Sequence, residues 1–161
     1  MNARMNDPLA IGVTVAVPLP PDEVLGYFTN AARYVTWMGR SARINPVPGG
    51  AYYVEMADGF AAAGTFTEID PPRRLAFTWG WAPGAGQAVL AGPQDDDALP
   101  PGSSQVTVTL EEDPAGTSLT LTHRDLPTDA LRKAHQAAWQ AYLGRLVIRA
   151  GGGDPGPDPH G

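Results

Sequence analysis

The sequence predicts an α+β domain in which a curved antiparallel sheet wraps around one long C-terminal helix. Two observations lead to this fold class. Segments of alternating apolar and polar residues follow one another through short turns between residues 11 and 123, as expected of an antiparallel meander. The stretch from Thr128 to Ile148 then shows an apolar stripe with helical period, and it is long and apolar enough to cover the sheet.

The first strand is marked by valine or isoleucine at every second position from Ile11 to Val17. A proline-rich break ends this strand, and Asp22 and Glu23 open a short helix that runs to about Phe28. Asn30 suits the N-cap of a second short helix. That helix is predicted to carry Tyr34, Val35, Trp37 and Met38. Two short helices therefore follow the first strand.

The rest of the meander consists of further strands separated by turns that contain glycine or proline. They are predicted at Tyr52 to Met56, Phe60 to Ile69, Arg74 to Trp81, Val106 to Leu110 and Leu119 to His123. Asp58-Gly59 is a strong hairpin signal between the first two of them. Alternation within the Arg74 strand places its large apolar side chains on one face.

The C-terminal helix has a histidine at the centre of its apolar stripe. At about 100° per residue, the stripe comprises Leu131, His135, Ala138, Trp139, Tyr142 and Leu146. The opposite face carries Arg132, Lys133, Gln136 and Gln140. Packing the stripe against the sheet would enclose a volume with aromatic walls, closed at one end by the short helices near Trp37.

Composition favours a single globular domain and disfavours several classes of partner. Hydrophobic residues make up 43% and charged residues 17% of the 161 residues, as in ordinary globular proteins. A net charge of −6 disfavours binding to nucleic acid or to an anionic membrane. No run approaches the roughly 18 apolar residues that span a bilayer, and the lack of cysteine fits a reducing compartment. We therefore expect a soluble, cytoplasmic protein with no nucleic-acid partner and no membrane insertion.

The predicted domain covers residues 9–149. Residues 1–8 and 150–161 are expected to form flexible tails, the second because its Gly, Pro and Asp residues cannot bury enough apolar surface. Residues 82–102 are rich in Gly, Pro, Ala and Asp without periodicity, which predicts a long loop inserted between two strands.

The sequence lacks a recognisable catalytic or metal-binding signature. It has no nucleophile elbow, P-loop or dinucleotide glycine motif, and its histidines do not have metal-ligand spacing, so we predict no metal site and no cofactor. His135 is open to three interpretations: a neutral core histidine, a polar group on a ligand cavity, or a general acid/base. His123 ends its strand on the inward face, and Glu68 shares the parity of Phe66, so both could face the same volume. Parity places Glu55 on the opposite face.

Several segments, taken together, resemble one protein family. They are Trp37, the Pro48-Gly49-Gly50 turn before Tyr52, Gly64 to Trp79, Val106 to Leu110, Gly116 to His123, and His135-x-x-x-Trp139-x-x-x-Leu143-x-x-Leu146. The family is that of the activator of heat-shock-protein-90 ATPase homologues, in the START-like (SRPBCC) superfamily of helix-grip proteins. The resemblance covers about residues 9 to 149. It implies a sheet around a gripped helix and a cavity between them.

The superfamily includes carriers of lipids and hydrophobic ligands, aromatase/cyclases and hormone receptors, and the family's namesake domain belongs to a eukaryotic co-chaperone. We therefore predict non-catalytic binding of a small hydrophobic or aromatic ligand between the sheet and the C-terminal helix. The residues expected to bind it are Trp37, Phe66, Leu75, Phe77, Trp79, His123, His135, Trp139 and Tyr142. Two alternatives remain: a cyclase or hydrolase that uses His135 with Glu68 or His123, and a module that interacts with a chaperone ATPase.

Overall fold

The computed structural model describes residues 10–56, 60–83 and 99–156. In chain order the elements are β1 (Ile11–Val17), α1 (Pro21–Thr29), α2 (Ala31–Tyr34), β2 (Ser41–Ile44), β3 (Ala51–Glu55), β4 (Phe60–Asp70), β5 (Arg74–Trp79), β6 (Trp81–Pro83), β7 (Ser104–Asp113), β8 (Gly116–Arg124) and α3 (Asp129–Ala150). Outside the described residues lie the predicted Asp58-Gly59 turn, most of the predicted 82–102 loop, the whole predicted tail 1–8 and residues 157–161 of the other tail.

The strands form one antiparallel sheet around α3, which confirms the predicted α+β architecture. Their order is β1-β8-β7-β5-β4-β3-β2, and β6 pairs with β4 beside this path. Thr128 caps α3, its side chain accepting a hydrogen bond from the Leu131 backbone nitrogen. The buried positions of α3 are Leu131, His135, Trp139, Tyr142, Leu143 and Leu146. The predicted stripe therefore faces the core.

The two short helices follow β1 as predicted, and Asn30 is the predicted N-cap of the second. Its side-chain oxygen accepts a hydrogen bond of 3.1 Å from the Arg33 backbone nitrogen. The second helix is shorter than predicted, because α2 ends at Tyr34 and the residues after it form a turn. The backbone nitrogens of Trp37 and Met38 still donate to the Tyr34 carbonyl at 3.2 and 3.1 Å, which keeps both side chains against the core.

The predicted strand from Arg74 to Trp81 is in fact two strands, separated at Gly80. A Cβ atom at Gly80 would lie 1.7 Å from the Pro100 carbonyl oxygen, so only glycine allows the two segments to approach so closely. The Trp81 nitrogen then donates to the Leu99 carbonyl at 2.7 Å. Residues 82 and 83 consequently belong to β6 and not to the predicted loop. The short strand β2 was not predicted.

The end of α3 also differs from the prediction, because Ala150 belongs to the helix and the residues after it turn back against the helix. The Arg145 guanidinium donates to the Pro155 and Gly156 carbonyls at 3.2 and 3.0 Å. The same group donates to the Trp37 carbonyl at 2.9 Å. Arg145 thereby connects α3 both to the turn after α2 and to the C-terminal segment.

Candidate functional site

The candidate site is a cluster of aromatic rings between the sheet and α3, centred on Trp79. Trp79 is only 1% exposed. Six other rings have centroids between 5.0 and 6.5 Å from the Trp79 ring. They belong to Tyr52, Phe77, Trp81, His123, His135 and Trp139, and with Trp79 they are named the Trp79 cluster below.

Local periodicity accounts for the way these rings meet. Phe77 and Trp79 are two residues apart on β5, so they point to the same face of the sheet. His135 and Trp139 are four residues apart on α3, so they lie on one side of the helix, facing that sheet surface. His123 comes from the end of β8, which pairs with β7 and lies two strands from β5. Three elements that are separate in the sequence, β5, β8 and α3, therefore contribute rings to the Trp79 cluster.

His123 is held by hydrogen bonds at both ring nitrogens. The Trp139 indole N–H donates to His123 Nδ1 at 3.1 Å. Ser104 Oγ lies 2.8 Å from His123 Nε2 and donates its own proton to the Trp79 carbonyl at 2.9 Å. Because Nδ1 accepts and the serine proton is already used, the proton of the imidazole is on Nε2, which donates to Ser104 Oγ.

His135 is likewise hydrogen-bonded at both ring nitrogens. The Trp81 indole N–H donates to His135 Nε2 at 3.2 Å, and His135 Nδ1 lies 2.8 Å from the Leu131 carbonyl oxygen. A carbonyl only accepts, so Nδ1 carries the proton. These contacts are the ones expected of a neutral core histidine.

Both histidines are neutral in the folded protein. The pKa of His123 is lowered from 6.5 to about 2, first because burial disfavours the charged ring and second because a charge on His135 would repel it. Burial also lowers the pKa of His135, although its hydrogen bond to the Leu131 carbonyl acts in the opposite direction. The two ring centroids are 5.1 Å apart, so protonation of one opposes protonation of the other.

A second buried polar group lies beside the cluster. The hydroxyls of Tyr34 and Tyr52 are hydrogen-bonded to each other, and Tyr34 also donates to Met38 Sδ at 3.7 Å. Burial raises the pKa of both tyrosines, so both stay protonated. Trp37 stacks on Tyr34 with centroids 4.8 Å apart. The tyrosine pair therefore joins the Trp79 cluster to the aromatic residues around α2.

One polar atom of the Trp79 cluster has no hydrogen-bond partner among the described residues. Trp79 Nε1 is buried, and within the described part of the chain no acceptor lies at hydrogen-bond distance from it. A buried N–H donor without an acceptor costs about 1–3 kcal/mol of stability. This donor differs from the Trp139 and Trp81 indole nitrogens, which both donate to histidines.

All nine residues predicted to bind a ligand are buried. Five belong to the Trp79 cluster: Phe77, Trp79, His123, His135 and Trp139. Phe66 lies against it, with its ring 5.8 Å from that of Phe77. Trp37 lies beyond the tyrosine pair, and Leu75 and Tyr142 are buried in the same core. That these residues bind a ligand stays a prediction.

Glu68 does not face the core, although it shares the parity of Phe66. A β-bulge between Phe66 and Glu68 shifts the register, so that Phe66 pairs with Phe77 but Glu68 pairs with Ala76. The extra residue reverses the alternation of side chains, and Glu68 turns outward to an ion pair with Arg74 at 2.9 Å. Glu68 therefore does not accompany the histidines.

Glu55 is more buried than parity predicts. It is 7% exposed, although it lies on the face of β3 opposite to the core. Its carboxylate accepts hydrogen bonds of 3.2 Å from Arg40 and from Ser41, at the start of the unpredicted strand β2. Its burial therefore reflects pairing at the sheet edge and does not place it in the site.

Sequence reasoning missed Ser104 and Trp81 as members of the site. Ser104 shares the parity of Val106 and Val108, so extending the β7 alternation two residues backward would have found it. Trp81 was placed on the correct face, but its hydrogen bond to His135 joins residues that are far apart in the sequence. No local pattern signals such a bond.

Two other kinds of feature are absent from the described residues. Among them, no group of three or more His, Cys, Asp or Glu side chains is arranged to hold a metal ion. Within the same residues, no helix is long and apolar enough to cross a membrane.

Comparison with known proteins identifies the family. The family model described as "Activator of Hsp90 ATPase homolog 1-like protein" matches residues 18–151. An AHSA1-like protein from Rhizobium etli, solved by NMR, is 37% identical, with 93% of this chain and 86% of that chain covered and a TM-score of 0.68. No curated protein matches the sequence.

Two further solved structures are more distant in sequence and are evidence for the fold alone. A protein from Mesorhizobium loti is 18% identical, covers 86% of this chain and 93% of its own, and has a TM-score of 0.72. The Aha1 dimer from Colwellia psychrerythraea is 15% identical, covers 88% of this chain and 95% of its own, and has a TM-score of 0.68. The START-like fold is thereby confirmed, and the chain belongs to the Activator of Hsp90 ATPase homolog 1-like family.

Proposed function

We propose that this protein binds a small hydrophobic or aromatic molecule between the sheet and α3 and catalyses no reaction on it. The Trp79 cluster is the observation that carries the proposal. It brings seven rings from both layers around one buried centre, and among the described residues their only unpartnered polar atom is Trp79 Nε1. Ligand sites typically combine such apolar and aromatic walls with a small number of placed polar groups.

The state of the histidines supports binding over catalysis. A general acid or base needs a nitrogen within reach of the substrate and a pKa near the working pH. All four ring nitrogens of His123 and His135 are already hydrogen-bonded within the protein. Burial moves the pKa of both histidines downward, away from neutrality.

Thermal-shift measurements and native mass spectrometry with fatty acids and polycyclic aromatic compounds would test the proposal. A ligand at 100 times its Kd stabilises the folded state by about 2.7 kcal/mol. For a domain of this size that corresponds to a rise in Tm of about 5–11 °C. Absence of any shift and of any bound mass across such a panel would refute the proposal.

A matched pair of variants on α3 would locate the binding. Trp139→Leu removes a wall of the Trp79 cluster, whereas Gln140→Leu makes a comparable change at the next residue, on the exposed side of the helix. We expect the first variant to weaken binding at least tenfold and the second to leave it within about twofold of the original. Equal effects of the two variants on affinity would show that the ligand does not bind in the Trp79 cluster.

The two alternatives make different predictions. An enzyme should lose turnover in His135→Ala while it retains affinity for its substrate. A chaperone-interaction module should bind a chaperone ATPase and change its rate of hydrolysis, and this effect should survive Trp139→Leu. A binding protein of the proposed kind should show neither behaviour.

A further inference from the structure

We infer that Trp79 Nε1 selects ligands that carry a hydrogen-bond acceptor, such as a carbonyl oxygen, on an otherwise apolar and uncharged frame. The inference rests on the proposed function, because it concerns a ligand bound in the Trp79 cluster. It assigns to Trp79 the role of a specificity-determining residue.

The four tryptophans of the chain provide an internal comparison. Three of them donate their indole N–H to a protein acceptor: Trp37 to the Tyr27 carbonyl, Trp81 to His135 and Trp139 to His123. Trp79, at the centre of the cluster, has no such acceptor within the described residues. Buried polar groups in folded proteins are nearly always hydrogen-bonded. At an exception, a ligand that supplies the missing acceptor therefore gains the most binding free energy from its hydrogen bond.

The other polar atoms of the cluster define what the ligand should lack. Both nitrogens of each histidine are engaged, and the Tyr52 hydroxyl is hydrogen-bonded to that of Tyr34. The hydroxyl proton of the neighbouring Ser104 is donated to the Trp79 carbonyl. The histidines are neutral and the remaining members of the cluster are aromatic, so no charge in it would balance an ionised ligand. Burying an unpaired charge is strongly unfavourable. The Trp79 cluster is therefore suited to a ligand whose hydrogen-bond acceptor is uncharged.

A neighbouring ring face is the other partner that an indole N–H can find. Such an N–H to π contact is much weaker than a hydrogen bond to oxygen. A carbonyl oxygen that reached Trp79 Nε1 would replace this N–H to π contact with a stronger hydrogen bond. The preference for an acceptor should therefore be measurable as a difference between ligands of the same shape.

Two matched pairs of probes test the inference: fluorene with 9-fluorenone, and 2-ethylnaphthalene with 2-acetylnaphthalene. Within each pair the frame is nearly constant and a carbonyl replaces a methylene group. Equilibrium dialysis against the full chain should give at least tenfold tighter binding of the ketone, about 1.4 kcal/mol. In Trp79→Phe the ratio should fall to about one through weaker binding of the ketone.

Trp37→Phe is the matched control, because the Trp37 indole already has an acceptor. It should keep the tenfold ratio whatever it does to the two affinities. A measurement on the unmodified chain adds independent support: the ¹⁵N–¹H signal of the Trp79 indole should move downfield with 9-fluorenone and not with fluorene.

The outcomes separate this inference from the proposed function. If no probe binds, the proposed function is overturned together with the inference. If hydrocarbon and ketone bind equally well, or if the ketone preference persists in Trp79→Phe, only the acceptor role of Trp79 is overturned.

Discussion

Replacing Trp79 and Trp139 by phenylalanine, one at a time, should separate hydrogen bonding from packing inside the core. The two residues are 1% and 2% exposed, and their ring centroids are 5.0 Å apart. Each substitution removes the same atoms from the same part of the core. The losses of buried area and of packing are therefore similar and largely cancel when the two variants are compared.

The hydrogen-bond contributions differ in sign. Trp139→Phe leaves His123 Nδ1, a buried acceptor, without its donor, which costs about 1–3 kcal/mol. Trp79→Phe removes a donor that has no acceptor in the described part of the chain, and thus removes a penalty of about the same size. Taking the lower value for each, Trp139→Phe should be less stable than Trp79→Phe by about 2 kcal/mol or more. This difference corresponds to about 4–8 °C in Tm.

Urea denaturation of the ligand-free protein at pH 8, followed by far-ultraviolet circular dichroism, would measure the difference without depending on tryptophan fluorescence. Trp37→Phe serves as a second reference, because its indole donates to the Tyr27 carbonyl at 3.1 Å and the variant should resemble Trp139→Phe. Equal stability of the Trp79 and Trp139 variants, within about 0.5 kcal/mol, would refute the reasoning. It would show that Trp79 Nε1 is hydrogen-bonded in solution.

Three more predictions concern pH, the strand break and the β-bulge. Because the pKa of His123 is about 2 when folded and 6.5 in the reference state, the unfolded chain binds more protons between these values. The free energy of unfolding should fall by about 2 kcal/mol from pH 7 to pH 5 through this residue alone, and a flat urea-stability profile over that range would contradict the buried neutral ring. Gly80→Ala should cost about 1–3 kcal/mol, since the new Cβ would overlap the Pro100 carbonyl; an unchanged Tm would show that the break can shift. Glu68→Gln should change stability by less than about 1 kcal/mol, because its ion pair with Arg74 is well exposed, and should leave probe binding unchanged; loss of binding would place Glu68 in the site after all.

Much of the architecture could be predicted because periodicity is a local property. The stripe of α3 and the alternation in β5, β7 and β8 depend on residues a few positions apart, and each appears in the structure as predicted. The Asn30 cap is local in the same sense. Such patterns also place Trp79, His123, His135 and Trp139 correctly in the core, since each of these residues follows the parity or stripe of its own element.

The failures occur where a local rule is broken by a non-local contact. The bulge after Phe66 adds one residue to β4 and reverses the orientation of Glu68, and no composition signal marks it. The break at Gly80 depends on the approach of Pro100 from a separate segment. The burial of Glu55 depends on Arg40. In each case the partner is set by how the strands pack against one another, which a single sequence does not encode locally.

The two indole–imidazole hydrogen bonds explain why we propose Trp79, and not either histidine, as the residue that recognises a ligand. Trp139 on α3 donates to His123 on β8, and Trp81 on β6 donates to His135 on α3, so each bond joins the helix to the sheet. A ligand that engaged either histidine would have to displace one of its hydrogen bonds within the protein. Within residues 10–56, 60–83 and 99–156, the Trp79 indole N–H takes part in no such bond. It can therefore bind an acceptor of a ligand without breaking a hydrogen bond between the sheet and α3. For this reason it is the polar group of the cluster that we propose for ligand recognition.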